Sequence, residues 1–135
     1  MKLEYIDFDF GDARKNSDVP PQTINTNIEI LNAQVADNTL LVSFEYTAAY
    51  VPDKSYIRFA GKARFSGKEI KSAYDEWSKN KRITSENGEY IINSINYSAS
   101  VNSVLMAKVF NLVPAVFLPT IKIEAVEEKK ANSKK

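Results

Sequence analysis

The sequence predicts a single α+β domain in which a four-stranded antiparallel sheet is followed by two helices packed on one of its faces. Three observations predict it. Apolar residues recur at period two as far as Ser66, at helical spacing after Gly67, and two prolines, Pro114 and Pro119, end the helical pattern. A chain of 135 residues with 44% hydrophobic and 26% charged residues suits one globular core. The domain is expected over residues 1–123, and 124–135 is expected to be a charged, disordered tail.

The first strand is expected to place Ile6, Phe8 and Phe10 on one face and Asp7 and Asp9 on the other. Gly11 to Pro21 supplies turn formers that should end it. In the second strand Ile24, Thr26, Ile28 and Ile30 alternate with Asn25, Asn27 and Glu29, and Ala36 to Asn38 has the character of a hairpin turn. Leu40, Val42, Phe44, Tyr46, Ala48 and Tyr50 then share one face of a third strand. After a turn at Val51 to Lys54, Ile57, Phe59, Ala63 and Phe65 oppose Arg58, Lys62 and Arg64 in a fourth strand from Ser55 to Ser66. Short turns between successive strands require antiparallel pairing.

Beyond Gly67, Ile70, Ala73, Tyr74 and Trp77 fall at i, i+3, i+4 and i+7, the stripe of an amphipathic helix. Ser85 to Asn87 offers capping side chains for a second helix, expected from Glu89 to Leu112. Its apolar positions surround the axis rather than forming one stripe, which implies burial on more than one side. Self-association into a dimer or tetramer, through this helix at Val101, Val104, Leu105 and Phe110 or through the sheet edge, is therefore expected. The prolines place Val113 to Ile123 in extended conformation.

The chemistry visible in the sequence is mainly negative. There is no histidine and no cysteine, so the commonest general base, the commonest metal ligand, thiolate nucleophiles and disulfides are excluded together. Asp7, Asp9 and Asp12 lack the spacing of a calcium loop, and the four glycines form no phosphate cradle. No catalytic residue, metal or cofactor is expected. Eighteen basic against seventeen acidic side chains give a net charge of +1, which provides little drive toward nucleic acid. The most apolar stretch, Val101 to Ile123, is broken by polar residues and prolines and makes a poor membrane span. With no export signal visible, a cytoplasmic location is expected.

Seven tyrosines, seven phenylalanines and one tryptophan are the most informative residues. Tyr46, Tyr50, Phe59, Phe65, Tyr74 and Trp77 have two readings: the core between sheet and helices, or the lining of a groove that holds flexible apolar polypeptide.

The order of elements, with Asn96 to Phe110 (NYSASVNSVLMAKVF) and the extended Val113 to Ile121 (VPAVFLPTI), resembles the SecB-like family of export chaperones. Pro114, Val116, Leu118 and Pro119 match that family's Phe-Pro-x-Leu-x-Leu-x-Pro-Val segment, with one residue fewer. The resemblance implies a dimer of dimers that holds non-native polypeptides, with the strand aromatics and the linker around Trp77 as groove residues. It departs from the family's acidic export members in being nearly neutral and in carrying Arg58, Lys62 and Arg64 on one face of the fourth strand. A relative that holds one particular client, such as the antitoxin of a toxin pair, fits equally. The expected activity is thus an ATP-independent protein-binding chaperone. The alternative is an assembly protein whose apolar surfaces serve only its own oligomer; a small-ligand or enzymatic domain is a third class.

Overall fold

A computed structural model describes residues 1–115. The expectations for 116–123 and for the tail lie outside the described residues. Within them the chain forms β1 (Lys2–Arg14), β2 (Thr23–Ala36), β3 (Thr39–Val51), β4 (Tyr56–Ser66), α1 (Ile70–Asn80) and α2 (Glu86–Phe110). The four strands make one antiparallel sheet in the order β1-β4-β3-β2, so the expected α+β class is the observed one.

β3 and β4 carry the alternation most cleanly because they are central. Along β3, Leu40, Val42, Phe44, Tyr46, Ala48 and Tyr50 are buried, while the residues between them are half-exposed. β4 repeats the pattern with Ile57, Phe59, Gly61, Ala63 and Phe65. Both helices pack on this face, in two adjoining clusters. In the first, Leu40, Val42, Phe44 and Phe65 meet Ile70, Ala73 and Trp77 of α1 and Ile91 and Ile95 of α2. In the second, Tyr46, Tyr50, Ile57 and Phe59 meet Ala99 and Ala107 of α2. Large rings rising from the sheet leave room only for small residues on the helix above them, because protein interiors are close-packed.

β1 departs from the sequence expectation in two ways. It does not stop at Gly11 but continues to Arg14, with Gly11 paired to Phe59 and Ala13 to Ile57. It also has register shifts between Leu3 and Tyr5 and between Phe8 and Phe10. A bulge adds one residue and reverses the in-out phase of the strand beyond it. Phe10, expected beside Ile6 and Phe8, therefore lies on the opposite face and is 47% exposed. Gly61 allows this close pairing: a Cβ there would stand 2.1 Å from the Asp7 carbonyl oxygen.

α2 begins at Glu86 and ends at Phe110, three residues before and two residues before the expected limits. Ser85 stands at its N-cap with extended backbone but makes no capping hydrogen bond there; its Oγ donates instead to Glu76 Oε1 at 2.8 Å.

Candidate functional site

β2 is an edge strand. Among the described residues it pairs with β3 alone, so the other side of its backbone has no strand partner among them. Its helix-side residues Ile24, Thr26, Ile28 and Ile30 are half-buried rather than buried.

Cavities follow this edge. One of about 420 Å³ is walled by Ile28, Ile30, Trp77, Ile83 and Ile92, with Lys81 and Arg82 among its polar lining residues. A second, of about 200 Å³, shares Ile28 and Ile92 with it and extends to Thr26 and Asn96. A third, of about 500 Å³, lies between Val35 near the end of β2 and Ile70 and Tyr74 of α1. From Thr26 to Val35 the strand spans roughly 30 Å. The first two adjoin as an apolar trough beside the edge strand, lined also by Lys81 and Arg82, and the third lies apart near the strand's end.

The α1–α2 connector that forms one wall is held in place by Glu76. Its carboxylate accepts from the Thr84 backbone N–H at 2.6 Å, from Thr84 Oγ1 at 2.9 Å and from Ser85 Oγ at 2.8 Å. Burial opposes ionisation of Glu76, but these hydrogen bonds outweigh it and hold the carboxyl below its ordinary value of 4.5. α1 ends on Lys81 in the left-handed conformation, whose N–H donates to Trp77 O at 2.7 Å. The Lys81 ammonium then lies over the Trp77 ring, 5.7 Å from its centroid. The chain turn that caps α1 thus also sets a cation against the ring at the trough.

The residues nominated from sequence do not all reach this trough. Tyr46, Tyr50, Phe59 and Phe65 are buried in the two core clusters. Both helices cover the face on which they lie. Tyr50 also lines a separate recess of about 390 Å³ beside Ser17, Pro21 and Val113, and its hydroxyl donates to the Val113 carbonyl. Trp77, buried, and Tyr74, half-buried, do line the β2 cavities. The residues that sequence reasoning missed are Ile83 and Ile92, along with the trough role of Ile28 and Ile30. The alternation of β2 was visible, but nothing local marks a strand as an edge.

Of the nominated α2 residues, Val101, Leu105 and Phe110 are exposed and Val104 is half-buried. On the sheet face away from the helices, Arg58, Lys62 and Arg64 lie on one side of β4, as their alternation requires. Arg58 Nη2 donates to Asp12 Oδ2 at 2.8 Å, and its guanidinium lies over the rings of Phe10 and Tyr56. Arg64 lies over Tyr5. Much of the positive charge on this face is thus already engaged by the protein itself. Among the described residues no group of carboxylates is gathered as a metal site, and no helix is long and apolar enough to cross a membrane.

Comparison with known proteins adds no further constraint: no family model, no curated protein and no solved structure matches the chain.

Proposed function

We propose that this protein is a non-catalytic, ATP-independent binder of polypeptide that holds an extended apolar segment of a non-native or specific client along β2. The observation that carries the reading is the coincidence of a strand edge unpaired among the described residues with apolar cavities along that strand. An edge strand offers main-chain hydrogen bonds to any extended peptide, while pockets beside it select alternate side chains. Neither requires a cofactor. The resemblance of the element order to export chaperones supports the same reading, as does the absence of histidine and cysteine from the chain. The protein acts in the cytoplasm, on export clients or on one dedicated partner.

The test is retention of an unfolded model client without nucleotide, read by suppression of its aggregation. Trp77, the sole tryptophan, reports occupancy of the trough by a change in fluorescence. Ile92→Ser should weaken binding by about tenfold, equivalent to ~1.4 kcal/mol, while its melting temperature shows that the fold persists. If the wild-type protein retains no client, or if Ile92→Ser retains it with unchanged affinity, this reading is wrong.

A further inference from the structure

The turn that ends α1 carries Lys79, Lys81 and Arg82 close together in sequence, all exposed. Lys81 and Arg82 line the cavity walled by Ile28, Ile30, Trp77 and Ile92. No ion pair among the described residues involves any of the three cations. Glu76, the carboxylate closest to them in sequence, is committed to Thr84 and Ser85. The Lys81 ammonium rests over the Trp77 ring, 5.7 Å from its centroid. That contact leaves the ammonium N–H groups available to a further acceptor and restrains the side chain in advance, so ordering it costs a partner less.

Glu29 is the one carboxylate among the described residues that line this cavity. It occupies an outward position of β2, opposite Glu45 of β3, whereas Ile28 and Ile30 turn toward the helices. Charge beside the edge is thus divided by face, with cations on the helix side and carboxylates on the other. A strand laid against β2 would lie about 4.8 Å away and turn alternate residues to the two faces, about 6.6 Å apart along each. Its helix-side residues would meet Trp77, Ile92 and the two cations, and its outward residues would meet Glu29.

We infer that the trough selects an extended polypeptide segment in which an acidic side chain stands two residues from a large apolar one. Both face the helices, the apolar side chain against Ile28, Trp77 and Ile92 and the carboxylate held by Lys81 and Arg82. This rests on the polypeptide-binding reading and specifies its substrate: acidic apolar segments are retained and basic ones rejected. Beside apolar walls the attraction of a carboxylate to the two cations exceeds its value in open water, and an ammonium in the same place meets like charge.

The test uses labelled peptides of about ten residues, with valine and a test residue alternating on one face and threonine on the other. The test residue is glutamate, glutamine or lysine. Against the full chain at low ionic strength, fluorescence anisotropy should show the glutamate peptide binding at least about tenfold more tightly than the glutamine one and about 100-fold more tightly than the lysine one. At about 1 M salt, where charges are screened beyond about 3 Å, the glutamate-to-lysine ratio should fall at least about tenfold. Lys81→Glu combined with Arg82→Glu should invert the order at an unchanged melting temperature; if that variant fails to fold, Arg82→Glu alone should remove most of the preference. Lys62→Glu, an equal charge change on the sheet face away from the helices, should leave the order as it is.

Equal binding of the glutamate and glutamine peptides would overturn this inference and leave the polypeptide-binding reading standing, whereas binding of no peptide would overturn both. An order unchanged by reversing Lys81 and Arg82, or altered as much by Lys62→Glu, would also overturn it. So would displacement of the glutamate peptide by a single-stranded oligonucleotide, or an apparent affinity that falls as protein concentration rises, which would put a second copy in the trough. A gain of about tenfold in glutamate-peptide affinity when Glu124, Glu127 and Glu128 are all replaced by Gln would make the chain's own acids the occupant and overturn it as well.

Discussion

Tyr50 ties the end of α2 to the sheet. Its ring is 2% exposed, and its hydroxyl donates to the Val113 carbonyl, 63 residues away in sequence. Burial pushes the phenol up from 10.0 to about 12, with neighbouring Tyr46 adding a smaller contribution. The folded state thus holds the proton more tightly than the unfolded chain. The associated stability is complete below pH 10 and is lost as the pH rises toward about 12. Tyr50→Phe should lower stability by about 1–3 kcal/mol at neutral pH, because a carbonyl loses its donor. The difference from wild type should shrink across that alkaline range, which urea midpoints measured at several pH values will show. The inward orientation of Tyr50 was legible from the alternation of β3. Its partner was not, because no local pattern links a strand to a chain segment beyond the helices.

Glu76 works at the level of elements, since it joins α1 to the connector that starts α2. Three hydrogen bonds converge on one carboxylate and keep it ionised to lower pH than usual. A depressed folded-state value means that this contribution is present above the unfolded value and is lost as the pH falls through the folded one. Glu76→Gln should therefore cost about 1–2 kcal/mol near neutrality, and the cost should shrink as the pH falls from 4.5 through the lower folded-state value. A constant difference at all pH values would show that the charge plays no part. In the sequence Glu76 was one more polar position on the outer stripe of a helix. The second helix shows the converse limit. Its apolar residues surround the axis, so periodicity alone did not say which of them would be buried. The rings of Tyr46, Tyr50 and Phe59 decided it, by admitting Ala99 and Ala107 and turning Leu105 and Val109 outward.

For the molecule as a whole, Phe8 and Ile28 each pack against both core clusters, and Phe8 does so through its ring. Its ring meets Phe44 of the first cluster at 5.7 Å between centroids and Phe59 of the second at 5.4 Å. Phe8→Ala should destabilise the protein by about 3 kcal/mol and broaden a single unfolding transition, as the two halves lose their common contact. Calorimetry that finds the transition equally sharp would show that the clusters are coupled through the backbone instead. The number and order of strands and helices followed from the sequence by itself, as did the buried face of the central strands. The reason is that each depends only on a repeat of two or 3.6 residues along a local stretch. Tertiary structure alone decided which strands lie at the edges, where β1 bulges and sends Phe10 to the far face, and that the strand aromatics fill the core while Trp77 and Ile92 wall a trough. Those features depend on pairing between segments far apart in the chain and on which volumes meet across the layer, and neither quantity is written in the periodicity of any one segment.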